Sequence, residues 1–281
     1  MEISLAPEKV FVLTPALTPD QARERVDKKK VGLIAGTVGS LFSQPKPEEF
    51  RLLGTEGRLE PFWRVAASSH TSYERKATYT VPTSGPEVRE VSLAGQTYAA
   101  TPAQKGPSTL SLTVAEQCEQ VLTHEQTFDA VSGAKADFQK YARMDKIEAP
   151  DLNQVAPEGV LLVPPQIRAT AVVRQVTPEV IKSVSNAHVI HNERVDIEAI
   201  ELYFRPVYAF EFEWAAKNKR MVIEVDGMTG DMRAGRKLAD QIKNIVTRDL
   251  LFDVTADAVG IFVPGGSIAV KLVKAVVDRG R

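Results

Sequence analysis

The hydrophobic pattern of the chain changes between two periods, and each period predicts a different kind of element. Short apolar runs bounded by Gly, Pro, Asn and Ser predict β-strands. These runs cover residues 10–13, 50–53, 59–66, 77–81, 88–93, 169–174, 197–204, 207–214 and 220–225. Apolar residues at helical spacing predict helices, and the longest such stretch spans residues 113–144 with a break at Gly133.

Two Thr-Pro pairs predict where further helices begin. Thr is a good N-cap, and Pro favours the first helical position because its missing N–H needs no partner there. Thr18-Pro19-Asp20 therefore predicts a helix that runs to about Lys30, and Thr177-Pro178-Glu179 predicts another. Apolar residues between 238 and 277 predict a helical C-terminal region.

The same order of signals occurs twice, which indicates an internal repeat. In residues 18–81 and again in residues 177–225, a Thr-Pro pair and an amphipathic run precede two strand-like segments. Pro61 and Tyr79 are as far apart along the chain as Pro206 and Glu224. A repeated unit constrains the architecture before any single element is assigned.

These signals predict an α+β protein with two related units, each a helix packed on an antiparallel sheet, with a helical insert and a helical C-terminal region. The predicted parts are residues 1–100 for the first α+β unit, 101–158 for the helical insert and linker, 159–235 for the second unit, and 236–281 for the C-terminal region. The Gly-rich residues 31–42 are then an insertion in the first unit.

Composition narrows the class of protein without indicating an activity. The chain has 281 residues, 43% of them hydrophobic, and a formal net charge of −1, so nothing in its overall charge favours nucleic acid. Its single cysteine, Cys118, excludes an intrachain disulfide and fits a reducing compartment. Residues 1–7 show no secretory signal, and no apolar run is long enough for a transmembrane segment, so we expect a cytoplasmic protein.

Residues 205–212 (RPVYAFEF) and 222–230 (VIEVDGMTG) resemble the PepSY-type domain, in which a Pro-x-Tyr-x-Phe/Val strand precedes a strand ending in Val-Asp-x-x-Thr-Gly. The resemblance covers about residues 177–232. The first unit is a divergent copy, with VPTSG at residues 81–85 in place of that ending. The resemblance implies a helix-on-antiparallel-sheet unit and a non-catalytic binding role, which in this often extracytoplasmic family is linked to peptidase inhibition or regulation.

Aromatic and basic residues alternate in the first unit, which is typical of a face that binds a peptide or stacks bases. The candidate binding residues are Trp63, Arg64, Tyr73, Arg75 and Tyr208. A half-buried strand produces the same alternation. Because the net charge is −1, we expect a protein partner rather than nucleic acid.

A second candidate site is the cluster of His188, His191 and Glu193. On a helix, residues three positions apart share a face, so both imidazoles would reach one metal ion. A metal-assisted hydrolase centred on these three residues is therefore an alternative function. The His-Glu-x-x-His pattern of many metal hydrolases is missing from the sequence.

The leading hypothesis is a non-enzymatic binding or scaffolding protein that engages another polypeptide, or a second copy of itself, through sheet faces or edges. We predict no cofactor. A third alternative is a peripheral membrane protein that uses the Gly-containing apolar segments 31–42 and 258–277, because their basic neighbours suit a membrane surface. The same segments would otherwise pack as core.

Overall fold

Strands dominate the structure of this protein. The computed structural model describes residues 1–35, 46–149, 156–157, 159–235 and 271–274. In chain order the elements are β1 (Glu2–Leu5), β2 (Glu8–Leu13), α1 (Pro19–Ala35), β3 (Phe50–Pro82), β4 (Glu90–Leu93), β5 (Gln96–Ala99), β6 (Thr109–Asp129), β7 (Lys146–Glu148), β8 (Val160–Leu162), α2 (Ala169–Val180), β9 (Val189–Trp214), β10 (Lys219–Asp226), β11 (Met232–Gly235) and β12 (Lys271–Lys274). Short 3₁₀ turns lie at Pro47–Glu49, Gln139–Arg143 and Ala215–Lys217.

The predicted α+β class, with helix-on-sheet units, a helical insert and a helical C-terminal region, was wrong. A 10-stranded sheet runs through the chain, and the described residues contain two α-helices. The predicted C-terminal helices lie outside the described residues, except that residues 271–274 form β12, which pairs in parallel with β1. Segment 31–42 is described only to residue 35, the end of α1. None of the described helices has the length and apolar character that crossing a membrane requires.

Residues 113–144, predicted as helical, form most of β6 and the 3₁₀ turn that follows it. Val114, Cys118 and Leu122 are four residues apart, which fits the strand period of two as well as the helical period. Strand pairing decides between helix and strand here, because β6 forms a backbone hydrogen-bond ladder with β3 along its whole length. Its many Thr and Val residues also suit a strand.

Three long strands in the order β6-β3-β9 form the middle of the sheet. β3 pairs antiparallel with β6 on one side and antiparallel with β9 on the other. β9 pairs on its far side with β1 and β2 in parallel and with β10 antiparallel. Several runs predicted as separate strands are thus parts of β3 and β9.

Pro61 and Pro206 lie inside these long strands at points where the neighbouring strand changes. Along β3, Pro61 lies between residues 57–59, which pair with β8, and residues 62–82, which pair with β6. Along β9, Pro206 lies between residues 200–204, which pair with β2, and residues 207–214, which pair with β10. Their carbonyls accept the N–H groups of Ala130 at 3.2 Å and Gly227 at 2.8 Å. A missing proline N–H is tolerated at such gaps because no ladder bond depends on it.

Both helices pack on one face of the sheet, the face to which alternate residues of β9 from Ile200 to Trp214 point. α1 buries Ala22 and Val26 against β9 and β10. α2 packs on β3 and β6 and buries Val172, Val173, Val176 and Val180. Each such valine contributes about 1.5–3 kcal/mol to stability. Each helix therefore packs mainly on strands from the other half of the chain.

The first Thr-Pro pair begins a helix as predicted, but the second does not. α1 starts at Pro19, where the N–H of Gln21 bonds to the Thr18 hydroxyl at 3.3 Å. Thr177 lies instead in the last turns of α2, and its hydroxyl donates to the carbonyl of Val173 at 2.8 Å. Residues 169–174, predicted as a strand, form the first half of α2, because the buried valines of α2 repeat with helical spacing.

Candidate functional site

A layer of paired charges lies at the centre of the sheet, on the face opposite the helices. Glu60 of β3 is directly opposite Arg205 of β9, and the carboxylate and guanidinium are 2.5 Å apart. Arg205 also donates to Asp226 of β10 at 2.6 Å. The buried Arg58 lies 3.1 Å from Glu224. Removing one partner of a buried ion pair costs about 3–5 kcal/mol, so we expect this layer to stabilise the register of β3, β9 and β10.

Asp226 accepts four hydrogen bonds in this layer. Its Oδ2 accepts from Arg205 and from the Tyr141 hydroxyl at 2.7 Å, and its Oδ1 accepts the N–H groups of Met228 and Thr229 at 2.8 and 2.9 Å. Burial alone raises the pKa of Asp226, but these hydrogen bonds and the Arg205 charge outweigh burial and lower it. Burial and the bond to Asp226 raise the pKa of Tyr141 to about 12.

A polar cavity of about 240 Å³ opens beside the charged layer, and its lining includes Tyr141, Arg205, Glu224, Asp226 and Arg233. Arg233 pairs with Glu224 at 2.6 Å and with Glu60 at 3.1 Å. Arginines of the layer thus neutralise its carboxylates. Side chains with strongly shifted pKa values often mark active sites, but structural ion-pair networks shift pKa values too. The pairing of every arginine here with a carboxylate is typical of a structural network.

An apolar cavity of about 440 Å³ lies on the helix side, and its lining includes Leu13, Leu59, Ile147, Val160 and Tyr208. Tyr208, one of the predicted binding residues, is 8% exposed, and its hydroxyl donates to the carbonyl of Leu17 at 2.8 Å. Burial raises the pKa of Tyr208. Its hydroxyl therefore links β9 to the start of α1, while its ring forms part of the cavity wall.

The other two predicted aromatic residues are also buried. Trp63 is fully buried, and its indole N–H donates to the carbonyl of Ile167 at 2.8 Å. Tyr73 is 9% exposed. The alternation of aromatic and basic residues along β3 therefore reflects a strand with buried and exposed sides. The structure does not place these rings on an open face.

The two predicted basic residues, Arg64 and Arg75, each join β3 to β6. Arg64 binds Glu125 through two bonds of 2.9 Å and Glu201 of β9 through a third of 2.9 Å. Arg75 donates to Glu116 at 2.5 Å. The bond from Arg64 lowers the pKa of Glu125, and bonds from Tyr79 and then Arg75 lower the pKa of Glu116.

Of the histidines predicted as metal ligands, His188 lies in a bend just before β9 and His191 lies within β9, so neither is on a helix. His188 Nδ1 accepts the N–H of Lys76 at 3.3 Å, and His191 Nε2 lies 3.9 Å from the carboxylate of Glu74. Glu193 lies opposite Thr71 of β3. In the described residues no group of three or more His, Cys, Asp or Glu side chains is arranged to hold a metal ion.

An Asp-based turn follows both β6 and β10, and the sequence prediction missed the first of them. Residues 226–230 read DGMTG, and residues 129–133 read DAVSG. In each turn the Asp Oδ1 accepts the N–H groups of the second and third residues after it. Gly133 and Gly230 have φ of 75° and 76°, a region that glycine enters without strain. The pattern Asp-x-x-Ser/Thr-Gly could have revealed the first turn, but the helix predicted over residues 113–144 covered it.

Among the described strands, β6 is an edge strand whose outer side is open for most of its length. Near its ends, the backbones of Thr109 and Thr127 bond to Thr101 and Ala136 on the side away from β3. Because backbone groups alternate in direction along a strand, the odd-numbered residues of β6 direct their N–H and C=O outwards. Between the two ends these residues are Ser111, Thr113, Ala115, Gln117, Glu119, Val121, Thr123 and Glu125, and the carbonyl of Glu125 accepts the side-chain amide of Gln139 at 3.3 Å. Within the described part of the chain, no strand pairs with them.

This open edge, residues 111–123, lacks three of the usual protections of an edge strand and carries two charged side chains, Glu116 and Glu119. Lys, Pro and β-bulges are the common ways in which proteins prevent a further strand from pairing. Residues 109–129 contain no Lys, Arg, Pro or Gly, and the ladder with β3 has no register shift. Val121 is 62% exposed. At about 3.3 Å per residue the open edge is roughly 40 Å long, enough for a long added strand.

No protein-family model, no curated protein and no solved structure matches this chain. The resemblance to the PepSY-type domain stays a prediction. On the geometry of the described residues, the open edge of β6 is the candidate functional site.

Proposed function

We propose that this protein is a non-enzymatic binding protein that accepts an extended polypeptide segment as an added strand along the open edge of β6. The observation that carries the proposal is that residues 111–123 present a regular series of backbone donors and acceptors, all on one side. Strand addition is a common mode of peptide recognition, in which main-chain hydrogen bonds supply much of the affinity.

Side chains on the two faces of β6 would select the incoming strand. On the helix face, Val114 and Leu122 flank the paired Glu116. On the other face, Val121 and Glu119 are exposed. Side chains of an added strand alternate between these faces, so a partner with period-two patterning fits best.

The proposed partner is a polypeptide, either another protein or a second copy of this chain. The charged residues of the open edge are Glu116 and Glu119, which do not favour nucleic acid. The single cysteine fits a reducing compartment, and we place the protein in the cytoplasm as part of this proposal.

A proline on the open edge tests the proposal. In Val121→Pro the lost N–H is one that points away from β3, so the fold should keep its melting temperature within a few degrees, while an added strand loses a bond and meets the ring. Val121→Thr keeps both the N–H and the β-branched shape and is the matched control. Thr113→Pro repeats the block near the other end of the edge.

The measurement is binding of displayed peptides to sparsely immobilised protein, so that two copies cannot meet. The library contains random 12-residue peptides and overlapping segments of this chain. We expect peptides that bind wild type and Val121→Thr equally and bind both proline variants at least tenfold more weakly. If no peptide distinguishes wild type from the folded proline variants, the proposal is wrong.

A further inference from the structure

Residues 113–123 of β6 read nearly the same in both directions from their midpoint, Cys118. Moving outwards from Cys118, the matched positions are Gln117 and Glu119, Glu116 and Gln120, Ala115 and Val121, Val114 and Leu122, and Thr113 and Thr123. At each step the two residues are both apolar, both threonine, or a glutamate and its amide counterpart. Thr109 and Thr127, equally far from Cys118, both bond to neighbouring chain on the outer side, and at the C-terminal end the Glu125 carbonyl and the Asp129 N–H are bonded there too.

Such a sequence is complementary to a second copy of itself in antiparallel orientation. When two β6 strands pair about a twofold axis at Cys118, each residue before Cys118 lies opposite its equivalent after Cys118 in the partner copy. Glu119 then lies opposite Gln117, and Glu116 lies opposite Gln120, so each carboxylate meets an amide donor. Val121 meets Ala115 on the same face. Cross-strand pairs of this kind each contribute roughly 0.2–1 kcal/mol.

Other registers are less favourable. Shifting the axis by one residue to Glu119 places the two Glu119 carboxylates directly opposite each other, which is destabilising. Shifting it to Gln117 places Glu119 opposite Ala115 and Glu116 opposite Cys118, so both Glu–Gln pairs are lost. Moving the axis by one residue still pairs outward residues of one copy with outward residues of the other, so the number of backbone bonds hardly changes. Side-chain pairs therefore select the axis at Cys118.

We propose that the strand added to β6 is the β6 of a second copy of this chain, paired antiparallel about Cys118, so that two 10-stranded sheets become one continuous sheet. This inference rests on the proposed strand-accepting function and names its partner. The interface is isologous, with the same residues contributed by both copies. The odd-numbered residues exchange backbone bonds, and the even-numbered residues, Cys118 among them, form the closer pairs without such bonds.

The single native cysteine makes the register measurable. Opposite residues of a pair without backbone bonds have Cα atoms about 4.5 Å apart, within the range of a disulfide. Diamide oxidises two thiols to a disulfide and takes up their two protons and two electrons. We expect diamide to convert wild-type protein at about 50 µM, a dimer by sedimentation velocity, into a covalent dimer on a non-reducing gel.

The matched control is Cys118→Ser/Gln120→Cys, which keeps one cysteine on the same face of the same strand. Gln120 lies opposite Glu116 of the second copy, so the two new cysteines are four residues out of register, roughly 13 Å apart. This variant should sediment as a dimer and give less than a tenth of the wild-type cross-link. Val121→Pro should sediment as a monomer and give no cross-link.

Two results would overturn self-pairing: a wild-type monomer at this concentration, or equal cross-linking of wild type and the Gln120→Cys variant. If the chain is a monomer but displayed peptides still distinguish wild type from Val121→Pro, the strand-accepting function stands and the partner is another polypeptide. If neither experiment distinguishes Val121→Pro from wild type, both proposals are wrong.

Discussion

β6 and β10 end in the same Asp-based turn, but the chain that follows treats their outer edges differently. After the turn at Asp226, β11 pairs with residues 222–225 of β10 and covers its outer side. After the turn at Asp129, only residues 134–136 pair with the end of β6, and the chain then enters the 3₁₀ turn at Gln139–Arg143. Within the described residues, β11 covers the outer side of half of β10, whereas no strand covers residues 111–123 of β6, so the shared turn does not determine what pairs with each strand.

Asp226 and Asp129 also differ in burial and in the groups that they bind. Asp226 is buried and binds Arg205 and Tyr141 in addition to its own turn. Asp129 is only partly buried, and its side chain accepts hydrogen bonds within the turn, from the N–H groups of Val131 and Ser132 and from the Ser132 hydroxyl. The Asp-based turn after β10 therefore helps to stabilise the charged layer of the sheet, whereas the turn after β6 only terminates its strand.

The largest expected effect is a difference in stability between variants of Asp226 and Asp129. Asp226→Ala removes the partner of a buried arginine and should lower the free energy of unfolding by about 3–5 kcal/mol. Asp129→Ala removes hydrogen bonds near the surface and should lower it by about 1 kcal/mol. Urea denaturation of both variants beside wild type measures the difference. Equal losses would show that the charged layer adds nothing beyond the turn.

A smaller effect concerns acid stability. The pKa of Asp226 is below its ordinary value of 3.8, so its contribution is fully present above about pH 4 and is lost as the pH falls through the folded pKa. Wild type should therefore lose stability below pH 4 more steeply than Asp226→Asn, whose side chain does not titrate. Urea midpoints measured from pH 6 to pH 2.5 test this. Parallel curves would contradict the lowered pKa.

The sequence predicted part of this fold because local signals were unambiguous there. The helix starting at Pro19 and the strands at residues 10–13, 207–214 and 220–225 were each marked by caps or by bounded apolar runs, and each is confirmed. β6 was missed because its spacing fits both periods, and only pairing with β3 resolves it. Long-range pairing of this kind is not visible in one segment of sequence.

The candidate site was hidden for the same reason. An edge is a property of the sheet, so no pattern within residues 111–123 shows that the outer side has no described neighbour. The predicted residues were chosen by chemical type, and Trp63 and Arg64 prove to be occupied by bonds to Ile167, Glu125 and Glu201. The internal repeat stays a prediction, and residues 77–81, which were predicted as a separate strand, lie within β3.

The most direct test of the central claim is amide hydrogen exchange resolved by residue. In assembled wild type, we expect the outward N–H groups of β6, such as those of Gln117 and Glu119, to be protected from exchange to the same degree as the inward N–H groups. In Val121→Pro the outward groups should exchange at least tenfold faster, while the inward groups of β6 and the outward groups of β10 stay protected. Outward groups of β6 that exchange equally fast in both proteins would show that the edge takes no strand and would contradict the account.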